Sequence, residues 1–535
     1  MPDPQQYEVG LLNHGRILRL SALKFPTQVA LEYGGSTYTY SDLNREVNGV
    51  AAALVADGIA TGDRVVIMSE NTPQYFRLLF ALAKVGAVSV PLNTMLPSGA
   101  IRDVLTTAAP RAAYVSATYR EAFVRAHEQL PPERRPDLRE LAVDLDRSTS
   151  ASAHEGAATA VNHAVPSAAE PVPSTPVSDD AAAIILFSSG STGNPTGIVK
   201  SFANMAWSAI NRQIAEPRAS GDREYFCLPL AGIAFANFVL TDILTGATCV
   251  MADAFSPTQA ADDLADLGIT HVFLAPTMIR SIAEVAPGRT YEGVRRVESS
   301  FEFPIEIRRR AVSMFPNAMV LWSFGSTEAT MARTPPDVFL HDTSCVGFAS
   351  GLDEYRVVPA NSDTSVGEVE SRGPTRMLSY LSDYASGHRA RPEEWFPTGD
   401  LGEVDEWGRL HFRGRIKDMI KTGGVNVFAR DVEDVLVSHP AVRDAAVIGV
   451  PDDYWGEAVT AVVEISGAAD LSSLADHVRD RLAPYQRPKA YYLADDLPKN
   501  PTGKLAKGVI RDLIASGAIL PLRSSADAAR GVVTE

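Results

Sequence analysis

The sequence predicts an α/β fold in two parts: a large multi-layer α/β domain over residues 1–414 and a small α+β domain over 415–523. Three observations carry this. The 535 residues exceed what one hydrophobic core usually supports. Helical and strand-like apolar patterns alternate through most of the chain, the order expected of α/β layers. Past Arg415 shorter elements follow one another in a different rhythm.

In chain order, VNGVAAALVADG reads as a helix, DRVVIM as a strand, YFRLLFALAKVG as a helix and AVSVPL as a strand. Gly58 and Gly86 stand where left-handed helix C-caps are needed. The alternation returns in GATCVMADAF, ADDLADLGITHVFLAP and IRRRAVSMFPNAMVLWSFG. Residues 148–180 are dominated by Ala, Ser, Pro and Thr and predict a loose surface loop or linker. In the small domain DVEDVLVSHP predicts a helix, AVRDAAVIGVP a strand and LADHVRDRLAPY a helix, with a frayed tail over 524–535.

The composition is ordinary for a globular protein, with 45% hydrophobic and 21% charged residues. A formal charge of −16 disfavours nucleic-acid backbones and anionic membrane surfaces, so an anionic ligand must be held by local groups. The apolar stretch LLFALAKVGAVSVPL is interrupted by Lys84 and Pro91 and predicts no membrane span; MPDPQQYEVG does not resemble a signal peptide. Three widely spaced cysteines without C-x-x-C predict buried free thiols of a reducing cytoplasm, and no His-x-x-x-His spacing suggests a histidine metal site.

The stretch SSGSTGNPTG at 188–197 follows the apolar run AAAIILF. Glycine-exposed amides after a strand form a concave anion site. By itself such a loop reads equally as a surface turn, and it carries neither G-x-x-x-x-G-K-[ST] nor G-x-G-x-x-G. Its company gives it meaning: SFGSTE at 323–328, FPTGDLG at 396–402, GRIKDMIKTGGVN at 414–426 and NPTGK at 500–504.

Together these five ordered motifs resemble the acyl-adenylate-forming superfamily of acyl- and aryl-CoA synthetases, peptide-synthetase adenylation domains and luciferases. The resemblance extends from TYTYSDLN to DLPKNPTGKL. It implies ATP and Mg2+ as cofactors and a mobile C-terminal domain. It also implies that Ser188, Ser189, Gly190, Ser191, Thr192 and Gly193 wrap the β- and γ-phosphates, with Phe324, Gly325 and Ser326 at the nucleotide. Thr327 matches the residue that bonds the α-phosphate, Glu328 the Mg2+ carboxylate, and Asp400 with Arg415 the ribose clamp. Lys504 matches the lysine that neutralises charge at the reacting carboxylate and α-phosphate. Lys417 matches the hinge. Lys421, Gly423 and Gly424 match the lining of a tunnel for the thiol of coenzyme A. Each motif has a plainer reading on its own: a helix N-cap for STE, a turn for TGD, a hairpin for the double glycine, a solvated lysine after PTG.

Three departures cluster on one pocket. Thr196 stands where the family's loop usually has lysine; a missing ammonium weakens the hold on pyrophosphate by about 1 kcal/mol where water reaches. The nearest cation is Lys200. Gly232 replaces a usual histidine or aromatic residue, and SSFEF at 299–303 replaces a glycine-rich run. By position, Gly232, Phe235, Ala236, Asn237, Phe324 and Met331 are candidates for the acid pocket, with core packing as the alternative. The expectation is an ATP-dependent ligase joining an aryl or medium acyl acid to CoA. The alternatives are a carrier-protein loader, a nitrite-activating diazotase acting on an aromatic amine, and a degenerate nucleotide-binding paralogue. Retention of Glu328, Asp400, Arg415 and Lys504 weighs against the last.

Overall fold

Helix Pro73–Val85 explains the architecture of the large domain. Eleven of its 13 residues are buried, so it must be covered on all sides. It lies between two sheets: its Phe76, Phe80 and Leu82 share one core cluster with Val65, Ile67 and Leu186 on one side and Leu31, Phe226 and Met251 on the other. Thr72 caps the helix start by accepting from Tyr75 N, Pro73 sets its first turn, and Gly86 closes it at φ 78°. The lysine within this apolar run is buried too: Lys84 Nζ donates to Asn44 Oδ1 at 2.7 Å and Asn48 Oδ1 at 2.6 Å.

The computed structural model describes residues 9–141, 176–188, 195–300, 303–359, 364–465, 471–499 and 505–519. Outside the described residues lie Ser189, Gly190, Ser191, Thr192 and Gly193 of the glycine loop, Lys504, Phe301 and Glu302, most of the predicted 148–180 linker, and the 524–535 tail. The side chains of Ser188 and Met331 are likewise outside it. The far end of the linker is not loose. Val177 is buried, bridges to Val9 and contacts the position of Gly86, while Asp179 Oδ1 accepts from Leu12 N at 2.8 Å. A lone valine after the proline-rich stretch finds a core site there, which composition alone does not signal.

Among the described residues one sheet has seven strands in the order Ser379–Tyr380, Thr196–Ser201, Ala182–Ser188, Val88–Pro91, Arg64–Met68, Ala112–Val115 and Asp137–Glu140. A second path of thirteen strands has a parallel centre from Met319–Gly325 through Arg296–Ser299, His271–Phe273, Arg223–Phe226 and Thr248–Met251 to Val29–Tyr33, with Ser36–Thr39 antiparallel at its edge. Its antiparallel wing runs through Thr330–Arg333, Cys345–Ala349, Leu410–Arg415, Phe396–Val404, Gly367–Arg372 and Glu354–Pro359. The mixed α/β architecture with a large N-terminal and a small C-terminal domain is thus as the sequence predicts.

The last wing strand reached by the chain, Leu410–Arg415, hands over to a short turn at Ile416–Asp418 and then to a separate sheet. That sheet pairs Val425–Phe428, Met419–Thr422, Gly456–Ile465 and Val442–Asp452, with Ala490–Ala494 parallel to Gly456–Ile465. Its helix starts slightly before the sequence pattern does, at Ala429–Val437, because Arg430 anchors it: Arg430 Nη2 donates to Thr343 O at 2.8 Å, and its guanidinium lies over Trp322 and Phe412. The second predicted helix, patterned over 474–485, is found at Leu471–Arg479: it starts earlier than the pattern and ends before Pro484. No helix among the described residues is long and apolar enough to cross a membrane.

Candidate active site

The glycine loop joins two antiparallel strands, with Ser188 in register opposite Thr196. The helix Phe202–Ala215 begins only after the second strand, where Ser201 and Asn204 close a capping box. The strand Thr196–Ser201 therefore separates the loop from the start of that helix. Lys200 does not sit at the loop. It is buried, its Nζ donates to Thr375 O at 2.7 Å, and burial pushes its pKa down to about 8 against the pull of Asp353 and Glu328.

SFGSTE does not start a helix. Ser323, Phe324 and Gly325 end the strand Met319–Gly325, and Ser326–Ala329 form a turn in which Ser326 N donates to Ala329 O at 2.9 Å. The turn places Thr327 and Glu328, both half-buried, at the seam between the two sheets. Glu328 O accepts from Met377 N at 2.6 Å. Its carboxylate lies near the phenol of Tyr380, whose pKa burial and that neighbouring charge push up to about 12. Tyr380 stands beside Ile198 across a strand pair, so Glu328 is fixed against the strand that follows the glycine loop. Phe324 packs on Phe412, ring centroids 4.9 Å apart, which makes it a wall, while Gly325 is exposed.

Asp400 and Arg415 are brought together by register. They face each other across paired strands, with Arg415 Nε 3.0 Å from Asp400 Oδ1. Asp400 is 1% exposed. Gly399 before it takes φ 72° and donates N–H to Glu368 Oε1 at 3.1 Å, a bend that only glycine adopts without strain. Arg415 is the last strand residue before the exposed Lys417 in the turn between domains.

The double glycine forms a hairpin turn. Thr422 pairs with Val425, leaving Gly423 at φ 56° and Gly424 at φ 79° as a two-residue connection, and Lys421 is exposed beside it. Gly423 N donates to Trp455 O at 2.7 Å, and a Cβ there would meet the Trp455 ring at 3.1 Å. At Gly424 a Cβ would meet nothing within 4 Å.

The pocket candidates divide. Phe235 is fully buried between His14 and Phe80, at 5.7 and 5.5 Å between centroids, and Ala236 is buried in the same cluster. Both belong to the core, because a π-helical turn over Phe235–Val239 rotates them inward. Gly232 and Asn237 are half-buried, and a Cβ on Gly232 would meet nothing nearer than Pro229 O at 3.8 Å, so open space adjoins it. Within SSFEF, Ser299 and Phe303 are buried; the Phe303 ring packs on Phe339.

Two features escape motif reading. One is Tyr380, a tyrosine in an unremarkable SYLSDY. The other is a buried ionic cluster behind these strands, in which Arg212, Arg218 and Arg333 meet Glu216, Glu224, Asp242 and Glu298. Burial resists ionisation of Glu216, yet Arg212, Arg333 and Arg218 outweigh it and bring its pKa to about 2. Burial and the neighbouring Glu224 hold Asp242 well above the usual carboxylate range. The cluster joins residues from separate strands and helices, so no local spacing announces it.

Residues 18–381 match the family model described as AMP-binding enzyme, and 431–504 match the AMP-binding enzyme C-terminal domain. Feruloyl-CoA synthase from Amycolatopsis is 30% identical over 91% of this chain and 96% of its own. The fatty acid–[acyl-carrier-protein] ligase ScoC of Streptomyces coeruleorubidus is 30% identical over 91% of this chain and 93% of its own. ATP-bound MatB from Rhodopseudomonas palustris superposes with a TM-score of 0.81 at 26% identity, covering 94% of this chain and 98% of that one. With both family models matched in order along it, this chain belongs to the AMP-binding enzyme family.

Proposed function

We propose that this protein activates an aryl or medium acyl carboxylic acid with ATP and passes the acyl group to coenzyme A. In the first step the carboxylate oxygen bonds the α-phosphorus, the bond to the β-phosphate oxygen breaks, and pyrophosphate leaves. In the second, the thiol sulfur bonds the carbonyl carbon, AMP departs with the electron pair, and the thiol proton passes to solvent. The observation that carries the reading is the buried Asp400 held by Arg415 one turn before the domain junction, a carboxylate with two oxygens suited to two ribose hydroxyls.

Around that clamp, Ser188 to Gly193 cradle the β- and γ-phosphates, Thr327 bonds the α-phosphate and Phe324 walls the nucleotide, beside Gly325 and Ser326. Glu328 fits Mg2+: it offers one hard carboxylate, and Mg2+ takes one or two from protein when phosphates supply the rest. When bound, Mg2+ would neutralise charge on the departing pyrophosphate. Lys504 delivers a point cation to the oxygen gathering charge at phosphorus. Rotation at Lys417 then exchanges Lys504 for the hairpin of Lys421, Gly423 and Gly424, where a pantetheine arm passes close to backbone. Gly232, Asn237 and Met331 line the acid. The residue range 415–523 acts as the mobile unit. Three buried, unpaired cysteines suit a reducing cytoplasm.

A second reading keeps adenylation and changes the acceptor to a carrier protein, which the similarity to the fatty acid–[acyl-carrier-protein] ligase ScoC supports. The test is pyrophosphate release over a panel of carboxylic acids, with and without CoA, with a carrier protein, and with nitrite plus an aminobenzoate. Acid-dependent release followed by a CoA thioester supports the first reading; release with thioester only on the carrier protein supports the second. Release with nitrite alone moves the reaction to diazotisation, and no release with any of them refutes the proposal.

A further inference from the structure

Lys200, the nearest cation to the glycine loop in the sequence, has no part in the proposed reaction. On the strand Thr196–Ser201 side chains alternate, so Thr196, Ile198 and Lys200 share a face. Ile198 on that face clusters with Met377, Phe396 and Tyr380. Lys200 is 1% exposed, and the carboxylates whose charge favours its ammonium are Asp353 and Glu328. Taking an ammonium out of water is costly, and an apolar side chain of similar length would fill the space without that cost.

What the ammonium holds is a strap, residues 373–380. Its contacts are continuous. Asn204 Nδ2 donates to Pro374 O at 3.0 Å and Lys200 Nζ to Thr375 O at 2.7 Å. Thr375 Oγ1 donates to Asp353 Oδ2 at 2.8 Å and Thr375 N to Asp353 Oδ1 at 3.3 Å. Two residues on, Met377 N donates to Glu328 O at 2.6 Å; Leu378 N donates to Val199 O at 2.8 Å; and the Tyr380 phenol lies beside the Glu328 carboxylate. The strap thus grasps the main chain of Glu328 and sets Tyr380 beside its carboxylate, and Lys200 fastens the strap to the strand that follows the glycine loop.

We propose that Lys200 is the positioning residue for Glu328: through Thr375, Met377 and Tyr380 it fixes the carboxylate in the orientation that receives Mg2+ and ATP. This rests on the reading of Glu328 as the metal carboxylate. A mere core-filling role for Lys200 would affect stability and leave metal use alone.

The test titrates the full-length protein with ATP by calorimetry at a series of Mg2+ concentrations, a measurement that needs no knowledge of the acid, and follows pyrophosphate release where an acid is found. Lys200→Met is expected to raise the Mg2+ concentration for half-maximal ATP binding about tenfold, the usual effect of losing a residue that orients a metal ligand. KM for the acid stays within about twofold. Tyr380→Phe shifts the Mg2+ requirement the same way by a smaller factor, the double variant no further than Lys200→Met, and Lys200→Arg recovers part of it. Thermal melts record folding, and should Lys200→Met fail to fold, Tyr380→Phe decides. An unchanged Mg2+ requirement overturns the inference. So does a lowered one, which is what removing a competing positive charge alone would produce. If wild-type ATP binding shows no dependence on Mg2+, the reading of Glu328 itself is what fails.

Discussion

Replacing Asp400 by alanine removes a carboxylate that is 1% exposed and paired with Arg415 at 3.0 Å. Two effects follow, and their sizes separate them. Arg415 is 38% exposed on its side chain, so solvent screens the pair and its loss costs stability no more than about 1 kcal/mol. Binding is another matter. Each hydrogen bond from a ribose hydroxyl to a charged acceptor is worth about 1.5–3 kcal/mol, and two of them give about 3–6 kcal/mol, or roughly 10²–10⁴ in kcat/KM for ATP. The assay compares ATP with its 2′-deoxy and 3′-deoxy analogues in wild type and Asp400→Ala. Wild type should discriminate against each analogue by about tenfold or more, the cost of one such bond. The variant should use all three equally poorly. If Asp400→Ala still distinguishes ATP from the deoxy analogues, the ribose is held elsewhere and the placement of the nucleotide is wrong.

The other expectations concern separate parts of the molecule. Lys504→Ala should lower acid-dependent pyrophosphate release by about 10²–10³, with ATP binding by calorimetry retained. Gly424→Leu should spare adenylation and abolish thioester formation, whereas Gly424→Asn, which tolerates a left-handed backbone, should keep more of it; equal loss of both half-reactions in Gly424→Leu would remove the tunnel assignment. Gly232→His should leave the melting temperature near wild type, since a Cβ there meets nothing nearer than 3.8 Å, and shift the accepted acids toward smaller ones in the substrate panel. His14 is buried among Phe80, Phe202 and Phe235, and burial lowers its pKa from 6.5 to about 4. The unfolded chain binds this proton and the folded one does not, so between those values stability falls as pH falls, by up to about 3 kcal/mol. Urea melts at pH 7 and pH 5 should show His14→Phe gaining on wild type at the lower pH.

Much of this was legible in the order of residues, for physical reasons. The pattern of Pro73–Val85 and the glycine after it specify a buried, capped helix locally, and it is found there. The double glycine of KTGG forms the hairpin of its plainer reading, whereas TGD, a turn by residue type, lies inside the strand Phe396–Val404. What the order did not disclose depends on register and on contacts between distant segments. Phe235 and Ala236 face the core because of a π-helical turn that the apolar text AGIAFANF does not mark. STE reads as a helix cap by residue type but forms the turn after a strand, since the segment beyond it returns as Thr330–Arg333. Tyr380 meets Glu328 across fifty-two positions of chain, and Lys200 reaches Thr375 across 175.

The central claim is that ATP lies with its ribose on Asp400 and its phosphates in the loop that follows Ser188, with Glu328 beside them. A crystal structure of the protein soaked with Mg2+ and a non-hydrolysable ATP analogue tests it most directly. The account predicts ribose hydroxyls on both oxygens of Asp400, the β- and γ-phosphates among the amides of residues 189–193, and metal density at Glu328. An adenosine bound elsewhere, with Asp400 still closed on Arg415 and the loop empty of phosphate, would contradict it.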